Sequence, residues 1–123
     1  MDMDLDAERF IAAPLIARAV LLLRRAFRDP REPVSLVNVA SAVTAAVAPR
    51  PGSLPGGDVL GGSSRDPEVL RLVSEAWQVL ESARLVCRDL EQRDDWWLLT
   101  SAGRQARDSS DPEGEIRLRV VGI

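Results

Sequence analysis

The chain contains no histidine, no tyrosine and no lysine, and its one cysteine is Cys87. Each absence removes a class of chemistry. Without imidazole there is no histidine base, no Ser–His triad and no histidine metal ligand. One thiol makes neither an internal disulfide nor a Cys-x-x-Cys site. No apolar run approaches the roughly 18 residues that would span a bilayer. The opening Met1-Asp2-Met3-Asp4-Leu5-Asp6 is acidic, unlike the basic start of a signal or transit peptide, so a cytoplasmic location is expected. All 16 basic residues are arginine, the usage of a GC-rich genome, and a bacterial source is expected.

What remains is the composition of one folded domain. The 123 residues are 46% hydrophobic and 28% charged, with a net charge of −3. That length buries a core without disulfides or metals.

Helical spacing is clear from Pro14 to Arg28, where Leu15, Ile16, Ala19, Val20, Leu23 and Phe27 recur on one face. Phe10 and Ile11 precede it as a short turn, and Asp29-Pro30 ends it. Arg31-Glu32-Pro33-Val34 reads as an extended segment able to supply one small strand. Ser35 offers a capping hydroxyl to a helix over Leu36–Val47, with Leu36, Val39, Ala40, Val43 and Val47 inward. Ala48–Ser64, rich in proline and glycine, reads as a loop without regular structure. Its glycine pairs lack the lysine and spacing of a phosphate-binding loop.

Asp66-Pro67-Glu68 is a helix start, and the helix is expected to reach about Ala83 on a stripe of Val69, Leu70, Val73, Ala76, Trp77, Leu80 and Ala83. Leu85–Cys87 and Trp96–Leu99 read as paired strands joined by a polar tip, Arg88–Asp95. Thr100 caps a short helix through Ala106. Residues 108–123 are expected to be a polar linker and a last strand, because Ile116, Leu118 and Val120 alternate with Arg117 and Arg119.

The order helix, short strand, helix, helix, strand, polar tip, strand, helix resembles a winged helix-turn-helix domain. Trp97-Leu98-Leu99-Thr100-Ser101-Ala102-Gly103-Arg104 is similar to the aromatic-x-Leu-Thr-x-x-Gly ending found after the wing in MarR- and PadR-type regulators. Leu99 and Trp97 would reach the core, Thr100 would cap the next helix, and Gly103 would permit close packing. The resemblance is close over Ala76–Arg104 and otherwise rests on element order. It implies an α+β, mainly α fold over residues 1–107: three helices, a β-hairpin wing and a short C-terminal helix.

It also implies nucleic-acid binding, and charge opposes that. From Arg65 to Arg107 there are seven arginines against eight acids. The helix in the recognition position is expected to expose Glu68, Arg71, Ser74, Glu75, Gln78 and Glu81, which would repel phosphates. The long loop before it also abandons the tight turn that positions a recognition helix. Arg18, Arg25, Arg28, Arg71, Arg88 and Arg93 are the residues available to a DNA- or RNA-binding regulator, with Arg24 near the first-helix stripe and Arg117 and Arg119 on the tail. Each cluster also reads as helix-end, solvated-loop or edge charge.

If Trp97 and Leu99 face inward, Trp96 and Leu98 face outward. They are either covered by the chain itself or form a surface for a protein partner or a second copy, flanked by Arg88 and Arg93. Glu75, Asp94 and Asp95 are the carboxylates available to an enzyme; the Asp94-Asp95 pair reads as a solvated turn, and Cys87 as a small buried hydrophobe. The expectation is a non-catalytic binding module without cofactor or metal. A protein–protein adaptor or oligomerising subunit stands ahead of a nucleic-acid regulator.

Overall fold

The structure is a computed structural model and describes residues 7–46, 67–92 and 95–120. The expected loop at Ala48–Ser64, and Val47, Asp66, Arg93 and Asp94, lie outside them.

Among the described residues, six helices and three strands follow one another: α1 Ala7–Ala12, α2 Leu15–Ala26, β1 Val34–Ser35, α3 Leu36–Ala46, α4 Pro67–Ser82, β2 Val86–Arg88, β3 Trp96–Leu99, α5 Ser101–Asp108 and α6 Pro112–Arg119. The protein is thus mainly helical with a small antiparallel sheet, whose strand order is β1-β3-β2. This arrangement is compatible with a winged-helix-like one.

Pro14, extended at φ −65° and ψ 163°, sets the start of α2. Ile16, Ala19, Leu22, Leu23 and Ala26 then face the core, packing on α4. Beyond α2 the Asp29 carboxylate accepts the Arg31 N–H at 2.9 Å, and the Asp29 carbonyl accepts the Glu32 N–H, turning the chain toward β1. The α4 stripe carries Val69, Val73, Ala76, Trp77 and Leu80 inward. Trp77 joins the layers: its ring stacks on Phe27 and meets the edge of Trp97, each at 5.8 Å between centroids.

The end of α4 and the start of α5 are locked together. Arg84 takes a left-handed φ of 59°. Its N–H donates to the Glu81 carbonyl while the Leu85 N–H reaches the Leu80 carbonyl, the pair of bonds of a Schellman ending without its usual glycine. The Thr100 hydroxyl donates to the Arg84 carbonyl at 2.7 Å and accepts from the Gly103 N–H at 2.9 Å. A Cβ on Gly103 would fall on the Leu85 carbonyl oxygen, so glycine is required where α5 passes the turn that leads into β2.

Two expectations are corrected. The segment expected as linker and strand at 108–123 holds α6 instead. Asp111 accepts the Gly114 N–H at 3.1 Å and Pro112 opens the first turn. Asp111-Pro112-Glu113 is thus the same start signal as Asp66-Pro67-Glu68. Ile116 and Val120, four apart, are buried against the core, whereas Leu118 between them is exposed. A strand would have put all three on one side; a helix separates them. The helix packs on α2 and α5. Cys87, in turn, is exposed rather than buried.

Candidate interaction surfaces

Cross-strand partners share a face, and neighbours along a strand alternate. The register pairs Val34 with Trp97 and Arg88 with Trp97, and Val86 with Leu99. Val34, Val86, Trp97 and Leu99 form the buried inner face. The Arg88 guanidinium lies 5.4 Å from the Trp97 ring centre on that same side. The other register pairs, Ser35 with Trp96 and Cys87 with Leu98, form the outer face. Trp96 and Leu98 are half-buried there, and Cys87 is exposed. Leu90, in the turn after β2, is 94% exposed. The structure therefore brings Trp96 and Leu98 together on one side of the sheet and puts Arg88 on the other. Arg93 is not among the described residues.

The exposed face of α4 carries Glu68, Arg71, Ser74, Glu75, Gln78 and Glu81, all solvent-facing as the sequence leads one to expect. Three carboxylates and one guanidinium give this face a negative charge.

The remaining arginines have unequal roles. Arg18 is half-buried and donates from Nε to the Phe10 carbonyl and from Nη2 to the Ile11 carbonyl, at 3.1 and 3.0 Å. It closes the C-terminal end of α1 and ties α1 to α2. Arg24 donates to the carbonyls of Arg107 and Ser109 at 3.2 and 2.8 Å. Arg107 returns the contact, donating to the carbonyls of Phe27 and Arg28 at 2.9 and 3.1 Å. Each thus satisfies carbonyls at the C-terminal end of the other's helix. Arg25 and Arg28 are exposed at the same end of α2.

Asp95 has a role that sequence reasoning missed. Expected in a solvated turn, it is half-buried and serves three donors. Its carboxylate accepts from the Val37 N–H at 2.7 Å, the Ser35 hydroxyl at 3.3 Å and the Trp97 indole N–H at 3.1 Å. Its own carbonyl accepts the Leu36 N–H at 3.2 Å. Asp95 therefore caps α3 from the start of the neighbouring strand β3. Ser35 supplements it, its hydroxyl lying 3.4 Å from the Asn38 N–H.

Among the described residues, no group of three or more Cys, Asp or Glu side chains is placed to hold a metal ion, and no helix is long and apolar enough to cross a membrane. No family model matches this chain, and neither a curated protein nor a solved structure matches it.

Proposed function

We propose that this protein is a non-catalytic, winged-helix-like binding module whose partner is a protein, a second copy of the chain included, rather than nucleic acid. Strand order β1-β3-β2, with α4 entering the β2–β3 hairpin directly, supports the winged-helix reading. The observation that carries the choice of partner is the exposed face of α4. That helix occupies the recognition position, and Glu68, Glu75 and Glu81 stand there against Arg71 alone. A duplex presents phosphates along both rims of its groove, so a surface of this sign lacks the counterion-release term that supplies most DNA affinity.

The surface that suits a protein partner is the outer face of the sheet, where Trp96 and Leu98 flank the exposed Cys87, with Leu90 near the hairpin tip. Tryptophan concentrates binding energy at protein interfaces. Arg88 contributes from the opposite side by holding Trp97 in place.

Analytical ultracentrifugation of the wild type and Trp96→Ala tests this. The substitution is expected to weaken self-association, or binding of a partner recovered from the native host, by about 2 kcal/mol. Thermal melting should change little. Tight, sequence-specific DNA binding that survives Trp96→Ala would overturn the reading.

A further inference from the structure

The sheet ends at β2. In the order β1-β3-β2, β3 is paired on both sides and β2 on one, with no further strand beside it among the described residues. Two bonds that flank the β2–β3 ladder fix which way the backbone of β2 points. The Thr100 N–H donates to the Leu85 carbonyl at 3.0 Å, and the Asp89 N–H donates to the Trp96 carbonyl at 2.9 Å. Bonded and non-bonded pairs alternate along an antiparallel ladder. Cys87 therefore turns its N–H and C=O toward β3, whereas Val86 and Arg88 turn theirs to the outer edge. An edge of this kind is a template for another strand. The strand carries no proline, and its one charged side chain lies over the Trp97 ring of its own copy.

We propose that β2 pairs antiparallel with β2 of a second copy of the chain, about a twofold axis at Cys87, joining the two three-stranded sheets into one. The inference rests on the reading of the chain as a module that binds a protein partner, and it names that partner as a second copy. The bonding pattern restricts the register, because an edge-facing residue must meet an edge-facing residue. Twofold pairing then centres on Val86, Cys87 or Arg88. Charge selects among them. An axis at Val86 sets Arg84 opposite Arg88, and an axis at Arg88 sets that residue opposite itself. Like charges directly opposite are destabilising.

An axis at Cys87 avoids both conflicts. Arg88 of each copy then lies opposite Val86 of the other, and each such pair exchanges two backbone hydrogen bonds. The pairing uses only the backbone of Arg88, whose side chain keeps its place over Trp97. Arg84, exposed at the turn before β2, comes opposite Leu90 of the second copy, between Asp89 and Glu91. Opposite charges thus meet at both ends of the contact. The two Cys87 residues form a non-hydrogen-bonded pair, with Cα atoms about 4.5 Å apart. The contact needs neither Trp96 nor Leu98, and it leaves the outer faces of both copies on the same side of the joined sheet.

Amide hydrogen exchange of the full chain, followed by NMR from micromolar to millimolar concentration, reads the edge. The Val86 and Arg88 amides are expected to slow severalfold as concentration rises, and no slowing there overturns the proposal. Cys87→Asp and Cys87→Lys each set like charges face to face on the axis and should abolish the slowing, while an equimolar mixture of the two restores it. Cys87 is exposed, so both variants keep the fold. Slowing that persists in either variant alone, or that the mixture fails to restore, overturns the proposal. Trp96→Ala separates this contact from the outer face. Slowing that survives Trp96→Ala supports the edge whatever becomes of the Trp96 surface. Self-association without slowing at Val86 and Arg88 overturns the edge and leaves the Trp96 surface standing.

Discussion

The exposed face of α4 and the joined ends of α2 and α5 are both rich in charge, yet the charges do different things. On α4, the carboxylates of Glu75 and Glu81 stand in solvent, with no hydrogen bond or ion pair to the described residues. At the other end, Arg24 and Arg107 are bonded into the backbone of each other's helices. Asp95 belongs with the second kind, since its carboxylate serves a strand, a helix start and an indole. A net charge averages over such surfaces. The difference teaches that a charged residue acts structurally when it meets a backbone group with no other partner, and otherwise stays in solvent.

That contrast can be broken in order of expected size. Asp95→Ala strips the cap from α3 and leaves the Trp97 indole N–H without its acceptor; urea unfolding is expected to show a loss of about 3 kcal/mol. Arg107→Ala leaves the Phe27 and Arg28 carbonyls without that donor, and the same measurement should show a loss of about 2 kcal/mol. Glu75→Gln on α4 is expected to stay within about 0.5 kcal/mol, the range of a surface change away from caps and networks. If Glu75→Gln proved as damaging as Arg107→Ala, the division between solvent-facing and backbone-bound charge would fail.

The same division explains what the sequence made legible. Local signals were read correctly. The β3 strand Trp96–Leu99, the Thr100 cap and the close approach at Gly103 each depend on residues within a few positions of one another or on simple alternation. The inward Trp97 and outward Trp96 follow from the same alternation. The roles that escaped are made by distant partners. Asp95 meets Ser35 across 60 residues, and Arg24 meets Ser109 across 85. No periodicity carries such a contact. The α6 helix escaped for a different reason: Ile116, Leu118 and Val120 satisfy a two-residue period as well as part of a helical one. The deciding signal was Asp111-Pro112-Glu113, which repeats the pattern Asp66-Pro67-Glu68, where a helix does open at Pro67. Of the candidate interaction residues, Trp96 and Leu98 do share a face, but Arg88 lies across the sheet from them, a consequence of register rather than of sequence spacing.

The central claim is that α4 does not serve as a DNA-reading helix. A fluorescence-anisotropy titration of the full chain against duplex DNA, from low to physiological salt, tests it most directly. The account predicts only non-specific binding near physiological salt, with a Kd of about 10⁻⁴–10⁻⁶ M that weakens steeply as salt rises and does not depend on base sequence. A sequence-specific complex orders of magnitude tighter, lost on changing Arg71 or Gln78 on α4, would contradict it.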